Sequence, residues 1–291
     1  MRTPLFNAQM APNGMMQIWT GLLLRVDNEA QLASVIGHEI GHYLRRHSLE
    51  RLRDAQAKSA FATLFAPFGL IGLAGQLAVI GSALAFSREQ ESEADHIGLA
   101  LMKQSGHDPR EASKVWANVR AELSAGAGGD PAKRSVFWAT HPGVEQRQQQ
   151  LEQWSEGGSG FVGAAEFQAR LEPLLWELFE EELKRAQYDE SLVLLERHCN
   201  ARPQRGDLRW FRGEARRLRN HEGDVQQALA DFEAALTLDR APAQAHRSAA
   251  LVHRQHGRKA EAAAAFERYL QAVPDAPDAS LVQSYLSELK T

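Results

Sequence analysis

The sequence predicts a mostly helical α+β protein in two parts: a small mixed unit at 1–155 and an all-α repeat superhelix at 171–291, with a linker at 156–170. Three observations predict this. Apolar residues recur at helical spacing through most of the 291 residues, while extended runs around a turn are confined to the stretch before Thr20. The stretch Ser155-Glu156-Gly157-Gly158-Ser159-Gly160 divides the chain with the composition of a flexible link. Beyond it, small and aromatic residues return with a 34-residue period, the mark of stacked helix pairs.

The totals narrow the class. Hydrophobic residues at 44% and charged residues at 24% describe an ordinary globular protein. A net charge of -4 excludes a general nucleic-acid binder, which needs a basic stripe. Cys199 is the single cysteine, so an internal disulfide and a cysteine-rich zinc module are both excluded. Set in an apolar helical run, it reads as a small buried side chain. Met1 to Phe6 has no signal-peptide pattern, and the chain enters a fold at once, so an upstream targeting segment is expected to be missing.

Taken in order, Pro12-Asn13-Gly14 is a turn, and Met15 to Trp19 reads as a strand after it. A helix follows from Glu29 to about Arg53, capped by Asp27 or Asn28 and buried through Leu32, Val35, Ile36 and Ile40. His47, five residues past His42, falls off the His38–His42 face of such a helix and is expected at the surface. Residues 59–87 carry no charge, and three readings apply. They are helices buried around a site, an apolar surface touching membrane or partner, or a membrane span interrupted by Pro67 and several glycines. Ser87 to Gln104 is helical, Pro109 opens a helix to Leu123, and 124–135 reads as a mobile Gly- and Ala-rich loop. The repeat aligns Gly223, Ala228 and Phe232 with Gly257, Ala262 and Phe266, and a third copy shows in Tyr188, Ser191, Leu195 and Pro203. Helix pairs of this length resemble the tetratricopeptide repeat, with units at 172–205, 209–242 and 243–276 and a capping helix at 279–290.

The chemistry is concentrated in His38-Glu39-Ile40-Gly41-His42. Residues four apart stack on one helix face, so His38 and His42 aim two imidazoles at one point, as a zinc ion needs from its first two ligands. Glu39 lies about 100° round the helix, beside the metal, where it can act as general base toward an activated water. A catalytic zinc takes three protein ligands, and Glu91-Ser92-Glu93-Ala94-Asp95 offers the third. Glu91 and Asp95 share a face and Glu93 points away. One of the pair can therefore hold metal while the other accepts a hydrogen bond from a ligand histidine.

With Ser87 to Asp95 following at this distance, the motif resembles peptidase family M48, zinc metallopeptidases of the gluzincin type. Asn7-Ala8, Pro12, Gly14 and Gly21-Leu22-Leu23 resemble the family's segment before the helix. Thr140-His141-Pro142 with Arg147 resembles the segment after the second helix. Gln9 and Asn13 depart from the usual Phe and Gly, and the helix expected before residue 5 is absent. The resemblance implies one Zn2+ per chain on His38, His42 and Glu91, with Glu39 as base and Asp95 behind a ligand. It further implies His141 as fourth ligand or regulatory group and Arg147 as a substrate or oxyanion contact. With repeats behind it, the chain resembles the periplasmic branch of the family. That implies an envelope location, unfolded or misassembled protein substrates, and a protein partner in the repeat groove. The rival is a chaperone or binding module whose zinc is structural or latent; the presence of Glu39 speaks against it, because a structural site has no use for a base.

Overall fold

The computed structural model describes residues 2–62, 85–126 and 136–290, with no account of side chains at 57–62, 136, 138 and 144. The middle of the uncharged run and most of the 124–135 loop therefore lie outside the described residues. The described residues are mostly helical and form two units, Met1–Leu178 and Phe179–Thr291.

In the first unit, β1 (Ala8–Met10) and β2 (Met16–Ile18) pair antiparallel, Gln9 opposite Gln17. The expected turn closes them: Ala11 N–H donates to Met15 O at 2.9 Å and Met15 N–H to Asn13 Oδ1 at 3.1 Å. After α1 (Thr20–Leu23), Asn28 caps α2 (Glu29–Leu44) by accepting from Gln31 N–H. The single helix expected to reach Arg53 is broken. Arg46 sits in the left-handed region at φ 59°, and α3 (His47–Ala62) starts in a new direction. Ser87 and Gln90 close a capping box on α4 (Arg88–Gln104). Then come α5 (Glu111–Ala125), α6 (Val136–Thr140), α7 (Val144–Trp154) and α8 (Ala164–Leu171).

Phe6, Leu22, Val35, Leu99, Met102, Val115, Trp116 and Phe137 form the core between these helices. The contact that positions the site is the crossing of α2 on α4, made by small residues. A Cβ on Gly41 would lie 2.8 Å from Ala94 O, and one on Gly98 would lie 2.8 Å from His38 N. Backbones this close leave no layer of side chains between the histidines of α2 and the carboxylates of α4.

The division between units falls after Leu178, later than the sequence reading puts it. The Gly-rich stretch read as a linker is hydrogen-bonded into the first unit. Phe161 N–H donates to Gly106 O at 2.8 Å, Asp108 N–H to Phe161 O at 3.0 Å, and Ala30 N–H to Val162 O at 3.1 Å. Close approach explains the glycine here, since a Cβ on Gly160 would lie 2.5 Å from the carbonyl carbon of His107.

The second unit begins within α9 (Leu175–Lys184). It continues through α10 (Tyr188–Ala201), α11 (Gly206–Arg219), α12 (Asp224–Thr237), α13 (Gln244–Gln255), α14 (Lys259–Ala272) and α15 (Ala279–Leu289). From α10 on, each helix packs on the next in sequence. Residues aligned by the period occupy like places: Ser191, Ala228 and Ala262 are fully buried, and so are Leu195, Phe232 and Phe266. Left-handed Ala186, Gly223 and Gly257 precede α10, α12 and α14. Cys199 is buried, which pushes its thiol up to about 11 and leaves it the apolar role expected.

Candidate metal centre

The ligand atoms of His38, His42, Glu91 and His141 all lie within 4.8 Å of one another, and all four residues are buried. His42 Nε2 is 3.0 Å from His38 Nε2 and 3.3 Å from Glu91 Oε1. His141 Nδ1 is 2.9 Å from Glu91 Oε1 and 3.3 Å from His38 Nε2. Donors about 2.0–2.1 Å from a tetrahedral ion stand roughly 3.3 Å apart, so the spacing suits such an ion. His141 arrives from the end of α6, where its N–H donates to Phe137 O at 2.8 Å and its ring stacks on Phe137 at 4.3 Å.

Behind these atoms lies a layer that orients them. His38 Nδ1 is 2.8 Å from Asp95 Oδ1, which directs the opposite nitrogen toward the cluster. Glu91 therefore stands among the four donors and Asp95 behind one of them. Arg147, which the resemblance implies as a substrate or oxyanion contact, packs against these two carboxylates. It is buried, donates to Asp95 Oδ2 at 2.6 Å and Oδ1 at 2.7 Å, pairs with Glu91, and lies 4.2 Å over the Trp116 ring. From there it holds both carboxylates in register.

His47 also departs from expectation. It is buried, with its Nδ1 3.0 Å from His42 Nδ1 and its Nε2 3.1 Å from Glu93 Oε2. On an unbroken helix it would lie about 140° round from His42; the reversal at Arg46 turns it back. The left-handed residue was the missing information, and an Arg gives no local sign of it.

The electrostatics favour a cation. Burial pushes the Glu39 carboxyl above the ordinary range and nearby Glu91 adds to this, while His141 and His38 oppose it. Burial works against the Glu91 charge, yet His141 and Arg147 hold its pKa well below the usual value. Asp95 is likewise low: burial is outweighed by Arg147 and His38. Burial drives His42 down to about 2, so its imidazole is neutral, as a ligand must be. Burial and Arg147 oppose charge on His38, but Asp95 and Glu91 outweigh them and raise its pKa. The carboxylates of Glu39, Glu91 and Asp95 gather here with the buried Arg147 guanidinium and the part-buried Arg51, so acidic groups outnumber basic side chains other than histidine. Glu39 Oε1 is buried without a hydrogen-bond partner, 3.8 Å from His141 Nε2. An orphaned carboxylate oxygen beside four converging donors is costly unless something else occupies its attention. The residues present thus fit a divalent metal held by His38, His42, Glu91 and His141.

Two histidines on one helix, a glutamate on the helix crossing it and a carboxylate kept off the metal define a metallopeptidase. Within that class the chain belongs to peptidase family M48, whose family model matches residues 1–155. It is 36% identical over 157 residues to the mitochondrial metalloendopeptidase OMA1 of Schizosaccharomyces pombe, covering 53% of this chain and 44% of that one. The Arabidopsis thaliana OMA1 is 34% identical over 150 residues, covering 52% and 30%. The beta-barrel assembly-enhancing protease of Escherichia coli is 39% identical over 97 residues, covering 29% and 20%. The matched part spans less than half the length of each of these relatives.

Proposed function

We propose that the chain is a zinc-dependent endopeptidase that cleaves unfolded or misassembled envelope proteins, and that its helical stack is a tetratricopeptide-type docking unit for a substrate or partner. The observation that carries the chemistry is the free oxygen of Glu39, held beside the donor cluster with nothing to bond. When bound, a zinc ion supplies a water of lowered pKa and polarises the scissile carbonyl. Glu39 is placed to take the proton of the attacking water and to deliver it to the leaving amine. Its raised pKa suits an acid–base group that works in both directions near neutral pH. His42 is kept neutral and both histidines are aimed, Glu91 provides the anionic ligand, and Asp95 with Arg147 keeps His38 and Glu91 from turning away. The hairpin supports an extended substrate: added as a further strand, a peptide would be read through its backbone, which suits unfolded chains of varied sequence. The envelope and the substrate class rest on the resemblance to the β-barrel assembly-enhancing protease, whereas the OMA1 relatives are named as mitochondrial. No helix among the described residues is long and apolar enough to cross a membrane. The repeat reading rests on the 34-residue period and on the like burial of its aligned residues.

The test is digestion of unfolded casein by the wild type and Glu39→Gln, with metal content measured on both. The expected outcome is equal zinc and a loss of about 10²–10⁴-fold in rate, the usual contribution of a general base. Near wild-type cleavage by the variant would overturn the mechanism.

One observation favours a latent form of the enzyme. His141 completes a four-donor set, and closed four-ligand zinc sites are the structural kind, with no position for water. As a plug, His141 would have to leave before turnover. His141→Ala should then raise basal proteolysis with zinc still bound by three ligands. A fall in activity at unchanged zinc would instead place His141 with the groups that assist the reaction.

A further inference from the structure

We propose that His47 and Glu93 are positioning residues: Glu93 fixes the tautomer of His47, and His47 accepts the Nδ1–H of His42, which frees His42 Nε2 for the metal. The inference rests on the divalent-metal reading of the site.

The two Nδ1 atoms of His42 and His47 are 3.0 Å apart, so one must carry a proton and the other must not. If His42 offers Nε2 to a cation, its proton resides on Nδ1 and His47 Nδ1 accepts it. His47 then carries its own proton on Nε2, and that atom faces Glu93 Oε2 at 3.1 Å. Every proton in this arrangement has an acceptor. In the reverse arrangement, His47 donates from Nδ1 and the His42 proton moves to Nε2. That places an N–H 3.0 Å from His38 Nε2 and removes a ligand from the cluster. The His47 Nε2 would then present a bare lone pair to a carboxylate. Glu93 thus selects between the two, because a carboxylate accepts and does not donate.

The geometry around His42 agrees with this role. Phe86 stacks on its ring at 3.9 Å and 24°, which fixes the ring plane, and His47 fixes rotation about it. The two ligand histidines are therefore held differently. His38 is backed directly by buried Asp95, whereas His42 is backed through an imidazole whose carboxylate is two-fifths exposed. Glu93 also takes a contact from Arg45 at 2.8 Å, and this outer end opens on a polar groove of about 1050 Å³ lined by Arg45, His47, Glu50 and Arg88.

Zinc affinity by competition with a chromophoric chelator, and the visible spectrum of the cobalt-substituted protein, test the assignment. His47→Phe keeps a ring and loses the acceptor; it should weaken metal binding about 10–100-fold, the usual effect of removing the partner of a ligand histidine, and should change the cobalt spectrum. His47→Asn, whose amide oxygen stands near the Nδ1 position, should restore most of the affinity. Glu93→Ala should weaken binding in the same direction by a smaller factor, while Glu93→Gln, still an acceptor, stays near wild type. The pair at Glu93 decides the matter if His47→Phe does not fold, since a surface carboxylate is not needed for folding. The inference is overturned if folded His47→Phe binds zinc within twofold of the wild type with an unchanged spectrum. It is equally overturned if Glu93→Ala and Glu93→Gln are indistinguishable. A wild type that binds no metal would instead overturn the metal reading itself.

Discussion

Both units of this chain bury ionised side chains, and they do so to opposite ends. In the second unit the buried charges of α11 and α12 are answered. Arg212 meets Asp231 and Glu196, Arg216 also reaches Asp231, and Arg219 meets Asp224 and Asp189. Such sets leave nothing for a ligand and tie consecutive helices together, as between α11 and α12. Around His38 the balance is unequal. Carboxylates outnumber guanidinium groups, imidazoles supply lone pairs where the second unit has donors, and one Glu39 oxygen has no partner. The difference teaches that burial of charge does not mark a site. An uncompensated sign, with converging acceptors, does.

The comparison is broken most forcefully by removing a donor. His38→Ala, His42→Ala and Glu91→Ala should each abolish stoichiometric zinc and, with it, proteolysis. Asp95→Asn should cost about 10–100-fold in affinity, because Asp95 orients His38 and anchors Arg147 without standing among the donors. Retention of full zinc by Glu91→Ala would remove that residue from the donor set.

The converse change belongs to the balanced unit. Arg212→Ala leaves Asp231 with Arg216 alone and should destabilise the second unit by about 3 kcal/mol, toward the lower end for a broken buried pair. Zinc content should not move, and a parallel loss of metal would show that the two units are not energetically separate in this respect. Denaturant melts and metal analysis on the same preparation read both quantities.

A smaller effect sharpens the account of how the donors are brought together. Gly98→Ala drives a methyl against the α2 backbone beside His38 and should cost about 1–3 kcal/mol with weakened zinc binding. Unchanged stability and affinity would mean that the helices can part without disturbing the ligands. The smallest effect is expected at the surface: Arg170→Ala breaks an exposed pair with Glu166 and should leave the melting temperature where it was.

The sequence by itself determined what depends on neighbours along the chain. The four-residue spacing of His38 and His42 on one helix face, a cap at Asp27 or Asn28 and the turn at Asn13 are set by local backbone geometry, and all were legible. The 34-residue period was legible for the same reason: a helix pair repeats its buried small and aromatic positions wherever it stacks on another. Tertiary structure decided the rest. Helical phase put Glu91 and Asp95 on one face but could not say which reaches the donors, since that depends on where α2 crosses α4 at Gly41 and Gly98. Resemblance flagged His141 and Arg147, but only the packed chain shows one among the donors and the other clamped on Asp95 and Glu91. His47 was misplaced because an arginine at φ 59° reverses the chain, and Gly160 read as flexible because a close backbone contact and a free linker both select glycine. Periodicity is written residue by residue, whereas the cost of a strained φ or a missing Cβ is offset only by atoms distant in sequence.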